Sequence, residues 1–508
     1  MRDAALPSAL PRHARIAIVG GGFGGIGTAI RLKQRGWEDF VILERASDLG
    51  GTWRDNDYPG CACDVQSHLY SFSFAPYGGW SRTFSPQGEI WAYLRECASR
   101  FGIAPHFRFG HEVTGARWND GAARWDIETS GGRMSAAILV LANGPLSDPV
   151  IPDIPGLGSF EGVTFHSARW RHDVELAGKS VAVIGTGASA IQFVPRIQPL
   201  VKRLHLFQRT PPWIMPRRDR EIPSWRRRLY ATVPGLQAMV RGGIYVTREA
   251  MGIPFRHPAV AEVVQHLAIR HLQRSVRDPV LRAKLTPSYT IGCKRILISD
   301  DFLPSLEQPN VELVTAGVAG VDARSVIDSG GVRRDADVII LATGFRATDP
   351  LLAPHVYGRG GRSLAEEWRG SPKAHVGTTV AGFPNLFILL GPNTGLGHSS
   401  VLLMLEAQIE HVLGALALLR ARGAASIEPR AAAQDAFVRQ TEGRLARTVW
   451  NSGGCRSWYL DRTGRNSSLW PDGTWRFRRR VARIDPTEYV TSRGANGDAM
   501  NDGSVAHA

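Results

Sequence analysis

Apolar residues fall along this chain in two textures. The first is the short unbroken run: RIAIV at 15–19, FVILE at 40–44, SVAVIG at 180–185, RLHLFQR at 203–209, DVIILATGF at 337–345 and the centre of PNLFILLGPN at 384–393. Runs of that length without polar alternation predict strands buried on both faces of a parallel sheet. The second texture is helical spacing. It follows the first run from Ile26 and stops at Gly36, a glycine placed to cap a helix. Between run and helix stand Gly20 to Gly25. The same order of strand, glycine turn, helix and strand recurs over 180–209, with GTGASA as the turn and IQFVPRI opening the helix. The pattern predicts an α/β fold of two Rossmann-like dinucleotide-binding domains, the second inserted in the first.

Residues 213–285 break this rhythm. They are rich in Arg, Trp and Leu at helical periods, without strand alternation, and predict a helical insertion. The expected division is 1–145 for the first domain, 146–212 and 286–345 for the second around that insertion, and 346–490 for the return to the first. From Thr491 the chain turns small, polar and glycine-rich, which predicts a disordered tail, 491–508. No apolar run approaches the ~18 residues of a membrane span, and Val401 to Leu419 is interrupted by Glu406, Glu410 and His411. That stretch predicts a buried or half-buried helix and no transmembrane segment. The opening MRDAALPSALPRHA lacks the long apolar core of an export signal.

The charge is +15 at pH 7, and only six of the 61 basic residues are lysine. The arginines are scattered, with short clusters at 217–218, 226–228 and 478–480, and read as solvated faces. No recognised nucleic-acid module accompanies them, so no nucleic-acid partner is expected. Five cysteines form an odd, sparse set. They are expected not to be a disulfide framework, which points to a reducing cytoplasm. No metal site is expected.

Gly20, Gly22 and Gly25 make G-x-G-x-x-G between strand and helix, with Gly24 in the same turn. Without side chains there the backbone can approach a pyrophosphate held at the helix N-terminus. Glu44 ends the next strand, 24 residues after Gly20. A carboxylate there accepts from ribose hydroxyls. The second turn has Gly185, Thr186, Gly187, Ala188, Ser189 and Ala190, the G-x-G-x-x-A variant, with Gln192 one turn on. The same 24-residue count from Gly185 lands on Arg209, followed by Thr210. A guanidinium there would hold a 2′-phosphate that a carboxylate would repel. The two sites therefore predict FAD in the first and NADPH in the second, with hydride passing from nicotinamide to flavin.

The electrons then need an acceptor. Disulfide reductases of this architecture carry Cys-x4-Cys after a Gly-Gly-Thr. Here Gly50-Gly51-Thr52 is followed by Trp53, and Cys61 and Cys63 are one residue apart. Oxygen is the alternative. Residues 50–64, GGTWRDNDYPGCACD, resemble the G-G-x-W-x4-Y-P-G-x3-D pattern of type I Baeyer–Villiger monooxygenases. Residues 160–170, FEGVTFHSARW, resemble that family's fingerprint F-x-G-x3-H-x3-W. Trp170 favours this branch over the flavin-containing heteroatom hydroxylases, which end the fingerprint on Tyr or Phe. Arg171 departs from the usual Pro or Asp. Ala142-Asn143-Gly144 stands for the first Ala-Thr-Gly hinge, and after SWYL (457–460) the usual Gly-Ala-Asn is replaced.

The resemblance, covering about residues 14–480, implies an FAD- and NADPH-dependent enzyme. It would convert a small-molecule ketone and O2 to an ester or lactone through a C4a-peroxyflavin. It implies Arg295 as the catalytic cation, held in a planar fork by Asp64, and Lys294 as a second cation for the 2′-phosphate. Trp53 and Tyr70 would meet the flavin, backbone atoms near Val113 its adenine, and Trp458 the bound NADP. His166 is assigned to coupling domain movement. Two alternatives stay open from sequence: N- or S-hydroxylation by the same cofactors, and a non-catalytic NADPH-sensing flavoprotein.

Overall fold

The strand His13–Val19 sits near the centre of an eight-stranded sheet in the computed structural model, which describes residues 9–256 and 258–493. It pairs in parallel with Phe40–Glu44 on one side and Gly132–Leu141 on the other. Phe40–Glu44 passes the parallel order on to Phe107–Phe109. Beyond Gly132–Leu141 the sheet turns antiparallel through Arg124–Thr129 and Val113–Asn119. Leu386–Ile388, more than 240 residues along, adds in parallel to Gly132–Leu141. This return makes the insertion topology: the chain leaves the first sheet and comes back to it. Ile16, Ile18, Ile42 and Val140 are fully or almost fully buried, as unbroken apolar strands between two layers must be.

A second sheet holds five parallel strands in the order Val311–Val314, Arg203–Phe207, Ser180–Ile184, Val338–Leu341, Val163–His166. Gly20 and Gly185 thus follow central strands of two different sheets. Between Arg203–Phe207 and Val311–Val314 the chain forms the helices Ser224–Thr232, Leu236–Ala250, Pro258–Ser275 and Pro279–Leu285. The short strands Ile214–Met215 and Leu297–Ile298 pair at either end of them.

The two connections between the sheets touch each other. The Val150 N–H donates to the Gly344 carbonyl and that of Arg346 to the Asp148 carbonyl, each at 2.9 Å, with Pro149 and Phe345 bridged antiparallel. The helix Val401–Arg422 is long and apolar enough for a membrane crossing, but 67% of its most apolar window is buried inside the fold. It ends at Gly423 in a left-handed cap.

One boundary is corrected. Thr491 and Ser492 are not part of a disordered tail: they pair with Ile427 and Ser426 in a two-stranded ribbon. The polar composition of the tail hid a strand whose anchor, Tyr489, is 1% exposed. The expectations for the first eight residues and for 494–508 lie outside the described residues.

Candidate active site

The two glycine turns are built alike. Gly20 has φ 106°, and a Cβ there would lie 2.8 Å from the Ala142 carbonyl oxygen. Gly185 has φ 110°, and its Cβ would lie 2.5 Å from the Ala342 oxygen. Each turn therefore excludes a side chain at its first position twice over, by conformation and by space. At Gly25 a Cβ would come within 2.0 Å of the Gly20 oxygen, where helix meets strand. Gly22 and Gly24 continue the bare cradle, and the Gly50 N–H donates to the Gly21 carbonyl at 2.8 Å. That bond draws Thr52 and Trp53 toward the first turn. Trp53 is buried and its indole N–H donates to the Tyr70 oxygen at 3.1 Å. Val113, buried, opens a strand just after residue 111, whose N–H donates to the Glu44 carbonyl at 2.9 Å.

Glu44 is 4% exposed and well partnered. It accepts from the Gly21 N–H at 2.7 Å, the Ala46 N–H at 2.9 Å and Arg54 Nη1 at 3.0 Å. Arg54 lies inside the GGTWRD segment and was not singled out from sequence. Its partnership with an acid ten residues away is a three-dimensional fact without a local signal.

The second turn differs in what surrounds it. Thr186 is buried, Ser189 half-buried, Gly187 and Ala188 exposed, and Ala190 starts a helix fully buried. Arg209 lies two residues past the strand Arg203–Phe207 and is exposed, with Thr210 half-buried beside it. Lys294 is near enough that, after burial, the Arg209 charge is the next cause holding its ammonium below the usual lysine range. Among the described residues neither cation forms an ion pair. Two like charges close together without an acid can be balanced by an anion such as a phosphate ester. Gln192 points elsewhere: its amide accepts from the Tyr58 hydroxyl at 3.0 Å and donates to the Ala62 carbonyl at 3.0 Å. It joins the second domain's helix to the YPG loop of the first, where Gly60 has φ 81° and a Cβ would sit 2.8 Å from the Gln192 oxygen.

Arg295 and Asp64 meet across 231 positions of sequence. Asp64 holds the guanidinium at one edge. A single nitrogen, Nη2, reaches both carboxylate oxygens, at 2.8 and 2.6 Å. Nε and Nη1 donate to no protein acceptor among the described residues and remain available to a ligand. The Asp64 charge is the largest cause raising the Arg295 pKa further above its already high value, so the site is permanently cationic. A second arginine, Arg248, arrives from the helix Leu236–Ala250. It donates from Nε to Gln66 at 2.6 Å and from Nη2 to the Asp64 carbonyl at 3.0 Å. Sequence reading missed it, because nothing local says which face of a helical insertion turns inward.

The cysteine expectation is corrected. Cys293 and Cys455 form a disulfide with Cα atoms 6.1 Å apart, leaving Cys61, Cys63 and Cys97 free. Two partners 162 residues apart carry no spacing signature. The odd total was misleading, since one pair suffices. Four residues beyond Cys455, Tyr459 is 1% exposed and within electrostatic range of Arg295. Trp458 is 48% exposed, its ring centroid 4.6 Å from that of Tyr459.

The fingerprint residues hold the second domain's edge. A Cβ at Gly162 would fall 2.4 Å from the Asp337 oxygen, and the Trp170 ring centroid lies 5.2 Å from those of both Phe165 and Phe193. His166 ends an edge strand, and its Nδ1 accepts from the Ala168 N–H at 3.0 Å. Burial lowers its pKa to about 4, so at neutral pH it is uncharged. Its place beside Phe345 suits coupling at the domain connection better than proton transfer.

The profile of the pyridine nucleotide-disulphide oxidoreductase family matches residues 17–233. Cys61 and Cys63 are free and one residue apart, and do not make the Cys-x4-Cys pair of disulfide reductases. A Baeyer–Villiger monooxygenase of Streptomyces coelicolor is 51% identical over 95% of this chain and 93% of its own length. One of Pseudomonas aeruginosa is 48% identical over 95% and 92%. An oxidized steroid monooxygenase bound to NADP superposes with a TM-score of 0.83 at 31% identity, covering 95% of this chain and all of that one. Cyclohexanone monooxygenase from Rhodococcus sp. Phi1 bound to NADP+ gives 0.84 at 28%, with the same coverage. The glycine cradles, the acid at one and the paired cations at the other fit FAD and NADPH. The chain belongs to the Baeyer–Villiger monooxygenase family, two-domain flavoproteins that use FAD and NADPH.

Proposed function

We propose that this protein inserts one atom of O2 beside the carbonyl of a small-molecule ketone to give an ester or lactone. The observation that carries the reading is the Arg295 guanidinium, fixed by Asp64 through one nitrogen with two donor groups left over. The bound flavin, once reduced by NADPH, supplies activated oxygen; the chain supplies the charge. A tetrahedral adduct of a ketone carries an oxyanion. Nε and Nη1 of Arg295 can donate to it, and arginine cannot lose the proton that makes it a cation. Asp64, itself anchored through its backbone by Arg248, keeps that guanidinium from relaxing into solvent.

In the same reading Glu44 accepts from the flavin-side ribose, Trp53 and Tyr70 border the flavin and Val113 its adenine. Arg209, Thr210 and Lys294 read the 2′-phosphate, Gly185 to Ala190 hold the pyrophosphate and Gln192 seals the domain junction. Trp458 meets the nicotinamide nucleotide from the C-terminal segment. In this reading the chain divides at 1–145, 146–212, 213–285, 286–345 and 346–490, with Thr491 and Ser492 added to the last part, and a cytoplasmic location suits a consumer of NADPH.

The test is Arg295→Ala. Removing one preorganised oxyanion donor costs about 2.7–4 kcal/mol, or about 10²–10³ in rate. The variant purifies yellow and is reduced by NADPH, but forms almost no ester from a ketone the parent oxidises, and its electrons go to hydrogen peroxide. Arg295→Lys recovers little. Parent-level ester yield per NADPH in Arg295→Ala would remove the assignment. Hydroxylation of an amine or sulfide with no ester from any ketone would favour the heteroatom branch.

A further inference from the structure

Cys293 immediately precedes Lys294 and Arg295, and its disulfide partner Cys455 lies four residues before Tyr459. The disulfide thus ties the loop carrying the catalytic cation to the C-terminal segment that packs beside it. The surroundings repeat the connection. The Thr290 N–H donates to the Gly453 carbonyl at 3.0 Å, and Cys293 packs in one apolar cluster with Val449, Trp450 and Tyr459. A Cβ on Gly453 would come 2.7 Å from the Cys293 Cβ, so the two backbones approach as closely as glycine allows. On its other side Arg295 is held only by Asp64 among the described residues. Arg295 is therefore fixed at its side chain by one domain and at its backbone through a covalent link.

We propose that the Cys293–Cys455 disulfide is a redox-sensitive positioning device for Arg295. Closed, it keeps the 289–296 loop and the 455–460 segment together, so that oxygen transfer stays coupled to NADPH oxidation. Open, it releases the segment, Arg295 loses its fixed position, and NADPH is spent without product. Opening takes two electrons and two protons from a dithiol, which leaves as its own disulfide, and yields two thiols. Closing returns two electrons and two protons to hydrogen peroxide, giving two waters. The uncoupled reaction supplies that oxidant, since NADPH, a proton and O2 then yield NADP+ and hydrogen peroxide. Loss of coupling thus generates the reagent that restores it. The inference rests on the monooxygenase reading for its activity readout.

The experiment treats the FAD-loaded parent with a dithiol, removes the reagent, and measures five quantities: thiols titrated in denaturant, ester per NADPH, peroxide, backbone hydrogen exchange in 455–460, and the rate of anaerobic flavin reduction. The expected result is a rise from three thiols to five, a fall of roughly threefold or more in ester per NADPH with matching peroxide, and faster exchange in that segment. Anaerobic flavin reduction by NADPH keeps its rate. Added peroxide restores coupling. The double variant Cys293→Ser/Cys455→Ser shows the uncoupled ratio and ignores both reagents, whereas Cys97→Ser, in a helix of the first domain, responds like the parent. Reducing the parent needs no variant to fold. Five thiols before treatment, or five after it with coupling and exchange unchanged, overturn the proposal. So does a dithiol effect that persists in the double variant. If the untreated parent makes no ester, the functional reading fails separately, while thiol count and exchange still decide whether the link holds the segment.

Discussion

The two nucleotide turns share a backbone and differ in charge. At the first, Gly20 abuts Ala142 and the acid 24 residues on, Glu44, is buried and accepts from Gly21, Ala46 and Arg54. At the second, Gly185 abuts Ala342 in the same way, but Arg209 stays exposed beside the Lys294 charge and forms no ion pair among the described residues. The first site is finished internally and suits a cofactor that stays. The second keeps unspent charge at its rim and suits one that comes and goes. The turns are alike in geometry, and the two sites differ in the charge that stands at or just past the end of the next strand.

Steric crowding at the first turn should do the most damage. Gly25→Ala places a methyl 2.0 Å from a backbone oxygen that no rotamer can relieve. Overpacking of that kind costs about 3 kcal/mol, or roughly a hundredfold in FAD affinity. The purified variant is expected to be nearly colourless, judged by absorbance at flavin wavelengths. A parent-like flavin content would mean that the turn is softer than its contacts imply.

Next comes charge. Arg209→Ala should raise KM for NADPH tenfold or more, as expected from ~1.5–3 kcal/mol for a charge-assisted bond, and leave KM for NADH nearly unchanged. Equal damage to both coenzymes would show that Arg209 does not read the phosphate. Adding Lys294→Ala should deepen the loss for NADPH alone.

A smaller effect tests whether the domains communicate through their facing surfaces. Gln192→Ala removes the bonds to Tyr58 and Ala62 and should lower global stability by about 1–2 kcal/mol in denaturant melts. An unchanged midpoint would mean that water replaces the amide without loss. The smallest stability change belongs to Gly187→Ala, where a Cβ meets nothing within 4 Å. Its melting behaviour should match the parent to within about 0.5 kcal/mol, while KM for NADPH rises because the methyl occupies the approach of the pyrophosphate. A stable variant with unchanged KM would show that the nucleotide does not pass close to Gly187.

What was legible in the sequence was local. Unbroken apolar runs gave the strands, and glycine spacing gave both turns, because those signals arise from a few adjacent residues meeting a steric rule. Asp64 and Arg295 were legible through motifs, and the structure brings them together. The geometry between them was not, since which nitrogen faces which oxygen depends on elements far apart in the chain. Arg54 on Glu44, Arg248 behind Asp64 and the Cys293–Cys455 link were invisible for the same reason: each joins segments whose proximity only the folded chain creates. Thr491 and Ser492 looked like tail because an edge ribbon two strands wide needs little apolar sequence.

The paired connections between the sheets have a mechanical consequence. Two separate tethers would let the inserted domain translate, twist and tilt. Here residues 148–150 and 344–346 are hydrogen-bonded to each other as a short ribbon, with Gly144 and Gly344 both at positive φ close by. Such a ribbon resists stretching and shear and bends across its own width. Hinge bending is the motion such a ribbon opposes least. Where the inserted domain moves at all, the ribbon favours swinging about that line over sliding past the first domain.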